Sequence, residues 1–374
     1  MSKNGTVVYN CHVDWDWIRQ RPQFIAEGLS EYYDVFVHYR KQYCRKELQD
    51  NSKTPVHLCP YRTLPAFGDR FWWLTKRNLS IKKNYFNKLL KQSKANTIWL
   101  TCPTQVYEIP KSYHGMIIYD CMDDHIHLAC PKAWLNRMRD AERALVNRAD
   151  IVFVSSCHLM FLLRSRYPGS DEKIHLIRNA CSEELAKMPY IPIQKDSQQI
   201  VAGYIGTISL WFDFASLMES LDRFPVLHYW LIGPTACSNM PKHPRLHYLG
   251  VIPHENLKDY VSRINFFVMP FLINEITESV DPVKLYEYIA FGREIICSDY
   301  AETHYFNELV HFYKDTETYC EKVSQILKME TTPSLSEREA FLSKNTWKDR
   351  IESIILCLEQ TKHINIVERK DIVK

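Results

Sequence analysis

The stretch "DPVKLYEYIAFG" (281–292) sets a cation and a carboxylate within one helical turn of each other. Asp281 is a favoured N-cap and Pro282 a favoured first helical residue, so the sequence predicts a helix from 282 with Lys284 in its first turn. The free N–H groups of a helix start attract anions, and Lys284 adds a full positive charge there. Glu287, three residues on, can accept two hydrogen bonds from a vicinal diol or can pair with Lys284 itself. A phosphate at the helix start and a ribose one turn on would suit a nucleoside diphosphate. An ordinary capped helix with a Lys–Glu surface pair is the competing reading of the same residues.

A second polar cluster, "YDCMDDH" (119–125), follows a buried apolar run. Asp120, Asp123, Asp124 and His125 stand close together, and carboxylates so spaced raise one another's pKa, which suits a general base near neutral pH. Asp123 is the first choice, Asp124 the second and Asp120 the third; capping of the next turn is the alternative for Asp120 or Asp124. A third cluster, "HVDWDWIRQRP" (12–22), closes the first apolar run. Trp15 or Trp17 could stack on a sugar face, Arg19 or Arg21 could meet a phosphate or uronate, and Asp14 lies in the loop that carries them. Packing and capping of the first helix compete with that reading. His125 and His127 lack further ligands at metal-site spacing, so no metal is expected.

These clusters sit at the ends of short apolar runs that read as buried strands: "TVVYNCHV" (6–13), "VFVHY" (35–39), "TIWLTCP" (97–103), "GMIIYDCM" (115–122), "DIVFVSS" (150–156) and "IHLIRNA" (174–180). Amphipathic helices such as "PKAWLNRMRDAERALVNRA" (131–149) intervene, and the alternation implies a parallel sheet covered on both faces. The pattern pauses over 186–199 and restarts with "IVAGYIG" (200–206), "LHYWLIGP" (227–234), "LHYLGVI" (246–252), "INFFVMPF" (264–271) and "EIICSD" (294–299). The expected division is an α/β domain over 1–185, a linker over 186–199, a second α/β domain over 200–345, and a C-terminal helix and tail over 346–374.

With 374 residues, 46% hydrophobic and 24% charged, the chain fits two soluble globular domains. A net charge of +3 gives no global argument for nucleic acid. The 12 cysteines are scattered singly, several in apolar runs such as those of Cys157 and Cys297, and read as small core residues of a cytoplasmic protein. No secretory leader and no membrane-spanning run is legible. The segment 70–94 is the exception to the even charge: it carries Arg70, Lys76, Arg77, Lys82, Lys83, Lys88, Lys91 and Lys94 with no acid, interleaved with Phe71, Trp72, Trp73, Tyr85 and Phe86. A basic amphipathic helix with aromatics suits an anionic membrane surface; a solvated helix face is the alternative.

The order of features resembles glycosyltransferases of the GT-B fold, especially bacterial ones that build capsular, teichuronic-acid-like and other surface polysaccharides. The residues that carry the resemblance are "WDWIRQRPQFIAEGLS" (15–30), "IIYDCMDDH" (117–125), "ADIVFVSS" (149–156), "HLIRNACSEEL" (175–185), "GYIGTISLWFDFASLMESL" (203–221), "LHYLGVIPHENLKDYVSRINFFVMPF" (246–271), "DPVKLYEYIAFGREIICSD" (281–299) and "NTWKDRIESI" (345–354). The resemblance implies two Rossmann-like domains facing across a cleft, with a C-terminal helix crossing back. It implies that the second domain binds a nucleotide-sugar donor, a UDP-sugar by preference, with Lys284 on the diphosphate, Glu287 on the ribose, and Tyr286 or Tyr288 packed nearby. The loop "GTIS" (206–209) would bring backbone close at Gly206 and hydroxyls to phosphate oxygens from Thr207 and Ser209. Asp14, Trp15, Trp17, Arg19, Arg21 and His125 would serve the acceptor, a saccharide or lipid-linked saccharide, and Asp123 would be the base.

The chain departs from that pattern in three places. Retaining members usually carry a carboxylate eight residues before the position of Glu287, where this chain has Ser279, with Glu278 next to it. Trp211 and Asp213 stand where many relatives have Arg and Lys, and a Gly-Gly pair is absent. An inverting, metal-independent transfer fits the remaining residues at least as well as a retaining one. Asp14-Trp15-Asp16 spells the metal motif of a different, single-domain glycosyltransferase fold, and is read here as loop. An epimerase or hydrolase of the same fold, or an inactive scaffold, are the alternatives; a dehydrogenase is disfavoured because "GYIGTISLW" lacks GxGxxG.

Overall fold

The computed structural model describes residues 3–42, 54–64, 72–128, 132–194, 198–236, 239–328 and 335–371. The chain divides into two compact units, residues 1–178 with 350–374, and residues 179–349.

The first unit runs β1 (Thr6–Cys11), α1 (Arg21–Leu29), β2 (Asp34–Arg40), β3 (His57–Tyr61), α2 (Trp72–Ser93), β4 (Thr97–Leu100), β5 (Met116–Cys121), α3 (Lys132–Arg148), β6 (Ile151–Val154), α4 (Cys157–Arg166) and β7 (Ile174–Leu176). All seven strands are parallel, in the order β3-β2-β1-β4-β5-β6-β7. Runs such as "TIWL" and "IVFV" are buried on both faces, as a sheet sandwiched by helices requires. Ile98, Ile117, Tyr119 and Val152 form one core with Leu145 of α3 and Leu163 of α4.

The second unit runs α5 (Glu183–Ala186), β8 (Ile200–Ile205), α6 (Phe214–Arg223), β9 (Leu227–Ile232), β10 (Leu246–Gly250), α7 (His254–Val261), β11 (Phe266–Met269), α8 (Val283–Ala290), β12 (Glu294–Ser298), β13 (His311–Tyr313), α9 (Thr316–Lys328) and α10 (Leu335–Leu342). Its six strands are also parallel, ordered β10-β9-β8-β11-β12-β13. The short edge strands β3 and β13 are the ones that the sequence pattern does not single out. The last helix, α11 (Trp347–Asp371), starts in the second unit and ends in the first. There Gly28 of α1 meets it so closely that a Cβ would overlap Ile351 Cγ1.

Three expectations change. The units divide at Arg178 and Asn179 rather than after 185, and the described residues of the stretch read as a linker belong to the second unit. They are held there by specific bonds: Ile191 O accepts from the buried Arg293 guanidinium (2.7 Å) and Gln194 N–H donates to Ser262 O (2.7 Å). Arg293 has no need of a carboxylate partner, because it caps the carbonyl-rich C-terminal ends of α7 and α8 at Val261, Phe291 and Gly292. Cys157 is exposed at the start of α4, 3.2 Å from Arg178 Nη2, whereas Cys297 is buried as expected.

Candidate functional site

In each unit the strand order reverses once, between β1 and β4 in the first and between β8 and β11 in the second. Open parallel sheets bind ligands at the carboxyl ends of strands beside such a reversal. The residues that follow those strands carry most of the polar groups singled out above.

In the second unit α8 starts at Val283, with Pro282 as its N-cap and no side chain capping it. Asp281 is not the cap, because its carboxylate is spent elsewhere. It accepts from Asn179 N–H (2.5 Å) and from the Tyr286 hydroxyl (3.4 Å), and it is buried. The N-cap Pro282 offers no side-chain acceptor to the first turn of α8, and Leu285 N–H turns back to Pro282 O (3.0 Å). Lys284 lies one residue inside, half-buried, with its Nζ 5.9 Å from the centroid of the Tyr204 ring. Among the described residues its ammonium has no hydrogen-bond or ion-pair partner. Burial pushes its pKa below that of an ordinary lysine, and the nearby Glu287 charge draws it part of the way back. Such a cation gains most from meeting an anion.

Gly206 ends β8 at φ +154°, a conformation that favours glycine, and a Cβ there would overlap Lys284 Cε. The expected close approach at Gly206 is thus made by a lysine side chain. Tyr288 sets this end of the strand: its hydroxyl accepts from Ile205 N–H (2.8 Å) and its ring stacks on Phe267 at 4.2 Å. Tyr286 and Tyr288 are both fully buried, so they support the helix from within and offer no ring to a ligand. Thr207 and Ser209 follow Gly206, and neither hydroxyl has a partner among the described residues. Glu287 is half-buried one turn beyond Lys284. Asp213 is the N-cap of α6 and accepts from Ser216 N–H (3.1 Å).

In the first unit the three aspartates separate into different roles. Asp120 is fully buried against Arg21, whose Nε and Nη2 reach it at 3.0 and 2.8 Å while Nη1 donates to Ile177 O (2.7 Å). Both ions are buried and paired with each other inside the fold. Asp124 caps the turn through Ile126 N–H (3.1 Å) and pairs with Arg166 (2.6 Å) and His127 (2.7 Å). Burial alone would raise its carboxyl, but Arg166 and then His127 outweigh that and hold it below the usual carboxylate range. Asp123 alone of the three has a carboxylate with no hydrogen-bond partner among the described residues. Burial pushes its pKa up, with the charges of Asp120 and Asp124 adding to the rise and those of His125 and Arg21 opposing it.

The acceptor candidates also divide. Trp15 is fully buried beside Tyr39 and presents no face to a sugar. Asp14 accepts from the N–H groups of Asp16 (3.3 Å) and Gln42 (3.2 Å), and Asp16 pairs with Lys41 (3.1 Å). Arg19 is exposed, but pairs with Glu27 and lies over Phe24. Trp17 is half-buried. His125 is buried, with Nε2 3.1 Å from Thr101 O, and burial pushes its pKa down.

Two residues that the sequence does not flag join this group. His12 directly follows β1 and Thr101 directly follows β4. The His12 ring meets that of His125 edge-on at 5.3 Å, and its Nδ1 is 2.7 Å from Thr101 Oγ1. Beneath them Lys82 pairs with Glu108 (2.7 Å), which in turn holds Asn10 (2.9 Å). Burial opposes the Lys82 charge, but Glu108 prevails and its pKa is pushed up to about 12. Lys82 therefore belongs to this interior network and not to the basic surface of α2, where Lys76, Arg77, Lys83 and Trp73 are exposed. The side chain of Trp72 lies outside the described residues.

Solved structures share this architecture. A HepE structure from Anabaena, in complex with UDP and glucose, superposes with a TM-score of 0.68 at 12% identity, over 95% of this chain and 100% of that one. The lipopolysaccharide outer core galactosyltransferase WaaB aligns with a TM-score of 0.65 at 11% identity, over 95% of this chain and 99% of its own. The chain has the GT-B fold. The GT-B likeness at these identities is one of fold. In sequence, the chain is 24% identical over 227 residues to TuaH of Bacillus subtilis (strain 168), provisionally named a teichuronic acid biosynthesis glycosyltransferase. That match covers 55% of this chain and 56% of TuaH, so it spans little more than half the length of the curated relative. No family model matches.

Proposed function

We propose that this GT-B chain is a glycosyltransferase that moves a sugar from a nucleotide sugar, a UDP-sugar by preference, to a saccharide or lipid-linked saccharide of a surface polysaccharide. The observation that carries the donor half is the Lys284 ammonium, half-buried and without an ionic partner among the described residues, beside an uncapped helix start and the glycine that ends β8. A diphosphate would accept from Lys284, from the first N–H groups of α8 and from Thr207 and Ser209, while Glu287 would take the ribose hydroxyls. These groups would supply the positive charge a departing nucleoside diphosphate needs, so the reaction is written without a divalent cation; inversion is written for it because the proposed base is a carboxylate of the acceptor-side unit.

Asp123 is the proposed base. A raised carboxyl pKa suits proton removal from an acceptor hydroxyl near neutral pH, and its oxygens are uncommitted within the described fold. The exposed cations of α2 would hold the enzyme at an anionic membrane surface on the cytoplasmic side, where a lipid-linked acceptor is met.

Calorimetric titration with UDP and GDP tests the donor half. Wild type should bind one of them, and Lys284→Ala and Glu287→Ala should each weaken that binding by at least roughly tenfold, as loss of a charge-assisted bond does. A wild type that binds neither nucleotide favours a scaffold and overturns the enzyme reading.

A further inference from the structure

Thr101 makes hydrogen bonds to two histidines with two different atoms. Its carbonyl lies 3.1 Å from His125 Nε2. A carbonyl only accepts, so Nε2 of His125 carries the proton, and in the neutral ring Nδ1 holds the lone pair. Its hydroxyl oxygen has three neighbours: the Asn10 carbonyl (3.1 Å), the His12 backbone N–H (3.0 Å) and His12 Nδ1 (2.7 Å). A hydroxyl has one proton and two lone pairs. All three contacts are hydrogen bonds only when the proton points to the Asn10 carbonyl and both His12 nitrogens donate. His12 is then protonated at Nδ1, and its lone pair is at Nε2. Neither Nε2 of His12 nor Nδ1 of His125 has a partner among the described residues.

The surroundings make this setting rigid. Thr101 and Asn10 are fully buried. Gln105 accepts from the N–H groups of Thr101 (2.9 Å) and Cys102 (3.0 Å) and donates to Asn10 O (3.0 Å). The ends of β1 and β4 are thereby tied together beside the strand-order reversal, with the two rings standing on them.

We propose that Thr101 is a positioning residue that fixes opposite tautomers in His12 and His125, so that each ring offers a lone pair to a hydroxyl of the acceptor. The inference rests on the glycosyltransferase reading for the identity of that hydroxyl, but not for the tautomers. The His12 ring accepts without taking the proton: burial, then the charges of His125 and Lys82, push its pKa down to about 3, so it stays neutral at working pH. Proton removal is left to Asp123, and the histidines orient the hydroxyl.

The test is long-range 1H–15N NMR of the full chain labelled at histidine, with His12→Asn and His125→Asn to assign the two rings. Wild type should show His12 protonated at Nδ1 and His125 at Nε2. Thr101→Val removes the hydroxyl but keeps the carbonyl, so His12 alone should lose its single tautomer, and Thr101→Ser should restore it. In assays, Thr101→Val should raise KM for the acceptor roughly tenfold, the worth of one hydrogen bond, and leave KM for the donor unchanged. His12 protonated at Nε2 in wild type, or unaltered in Thr101→Val, overturns the proposal, as does an equal rise in both KM values. The expected tautomers in a protein that transfers no sugar leave the positioning role standing and defeat the activity instead.

Discussion

Gly206 has no side chain because Lys284 occupies the space one would need. The consequence is measurable: Gly206→Ala should fold, at a cost of about 1–3 kcal/mol for the strained backbone, yet lose nucleotide binding as completely as Lys284→Ala. Binding that survives in Gly206→Ala would show that Lys284 does not need its place against the strand. Asp123 has a pH signature. Its carboxyl is raised, and a base works only when ionised, so kcat/KM should fall as pH drops through a value above the ordinary ~4 of an aspartate. Asp123→Asn should abolish transfer while UDP still binds; an active Asp123→Asn assigns the proton to another group. The legibility of these residues differs for a physical reason. Lys284 and Glu287 are legible because a helix start, a cation and a carboxylate lie together in the local sequence, although a surface pair reads the same way, whereas Gly206 is reached through the resemblance of the loop "GTIS". Asp281 reads as an N-cap because caps are local, but its true partner, Asn179, is distant along the chain. Thr101 does not stand out at all, since nothing about a threonine at a strand end shows where its proton points.

At the level of elements, the apolar runs that read as strands are strands, because sheets buried on both faces demand continuous hydrophobicity. What local pattern does not show is how an element is held to its neighbour. The turn after β5 depends on Asp124, and its ion pair with Arg166 has a predictable pH profile. The folded carboxyl lies below its unfolded value of about 3.9, so its contribution to stability is complete well above that pH and is lost as the solution is acidified through the folded value. Asp124→Asn should cost about 3 kcal/mol in urea at neutral pH and remove this part of the acid sensitivity. The α1–α11 contact makes a second prediction. Gly28→Ala should lower the melting temperature, because its methyl meets Ile351, and adding Ile351→Ala should recover part of the loss. Additive effects of the two substitutions would mean that the helices do not pack through this pair.

On the scale of the whole molecule, the charge of α2 is the feature that composition averages away. Lys76, Arg77 and Lys83 are exposed, and no helix among the described residues is long and apolar enough to cross a membrane. Replacing all three with Gln should weaken sedimentation with anionic vesicles several-fold while leaving UDP binding intact; a wild type that ignores such vesicles removes the membrane from the proposal. The charged residues that belong to this surface cannot be told from the sequence, since Lys82 in the same run turns inward to Glu108.

The second unit begins and ends in one place. Cys181 N–H donates to Asn345 O (2.9 Å), and Trp347 N–H donates to Cys181 O (2.9 Å), so its two ends run side by side. Just outside them, Arg350 Nε donates to Arg178 O (3.2 Å) within the first unit. As far as the first unit's chain entropy is concerned, residues 179–349 then resemble a tight turn, and closing that turn costs little once the insert is folded. The first unit should accordingly tolerate exchange of the whole insert for a few glycines and serines, and the excised segment should close on its own ends.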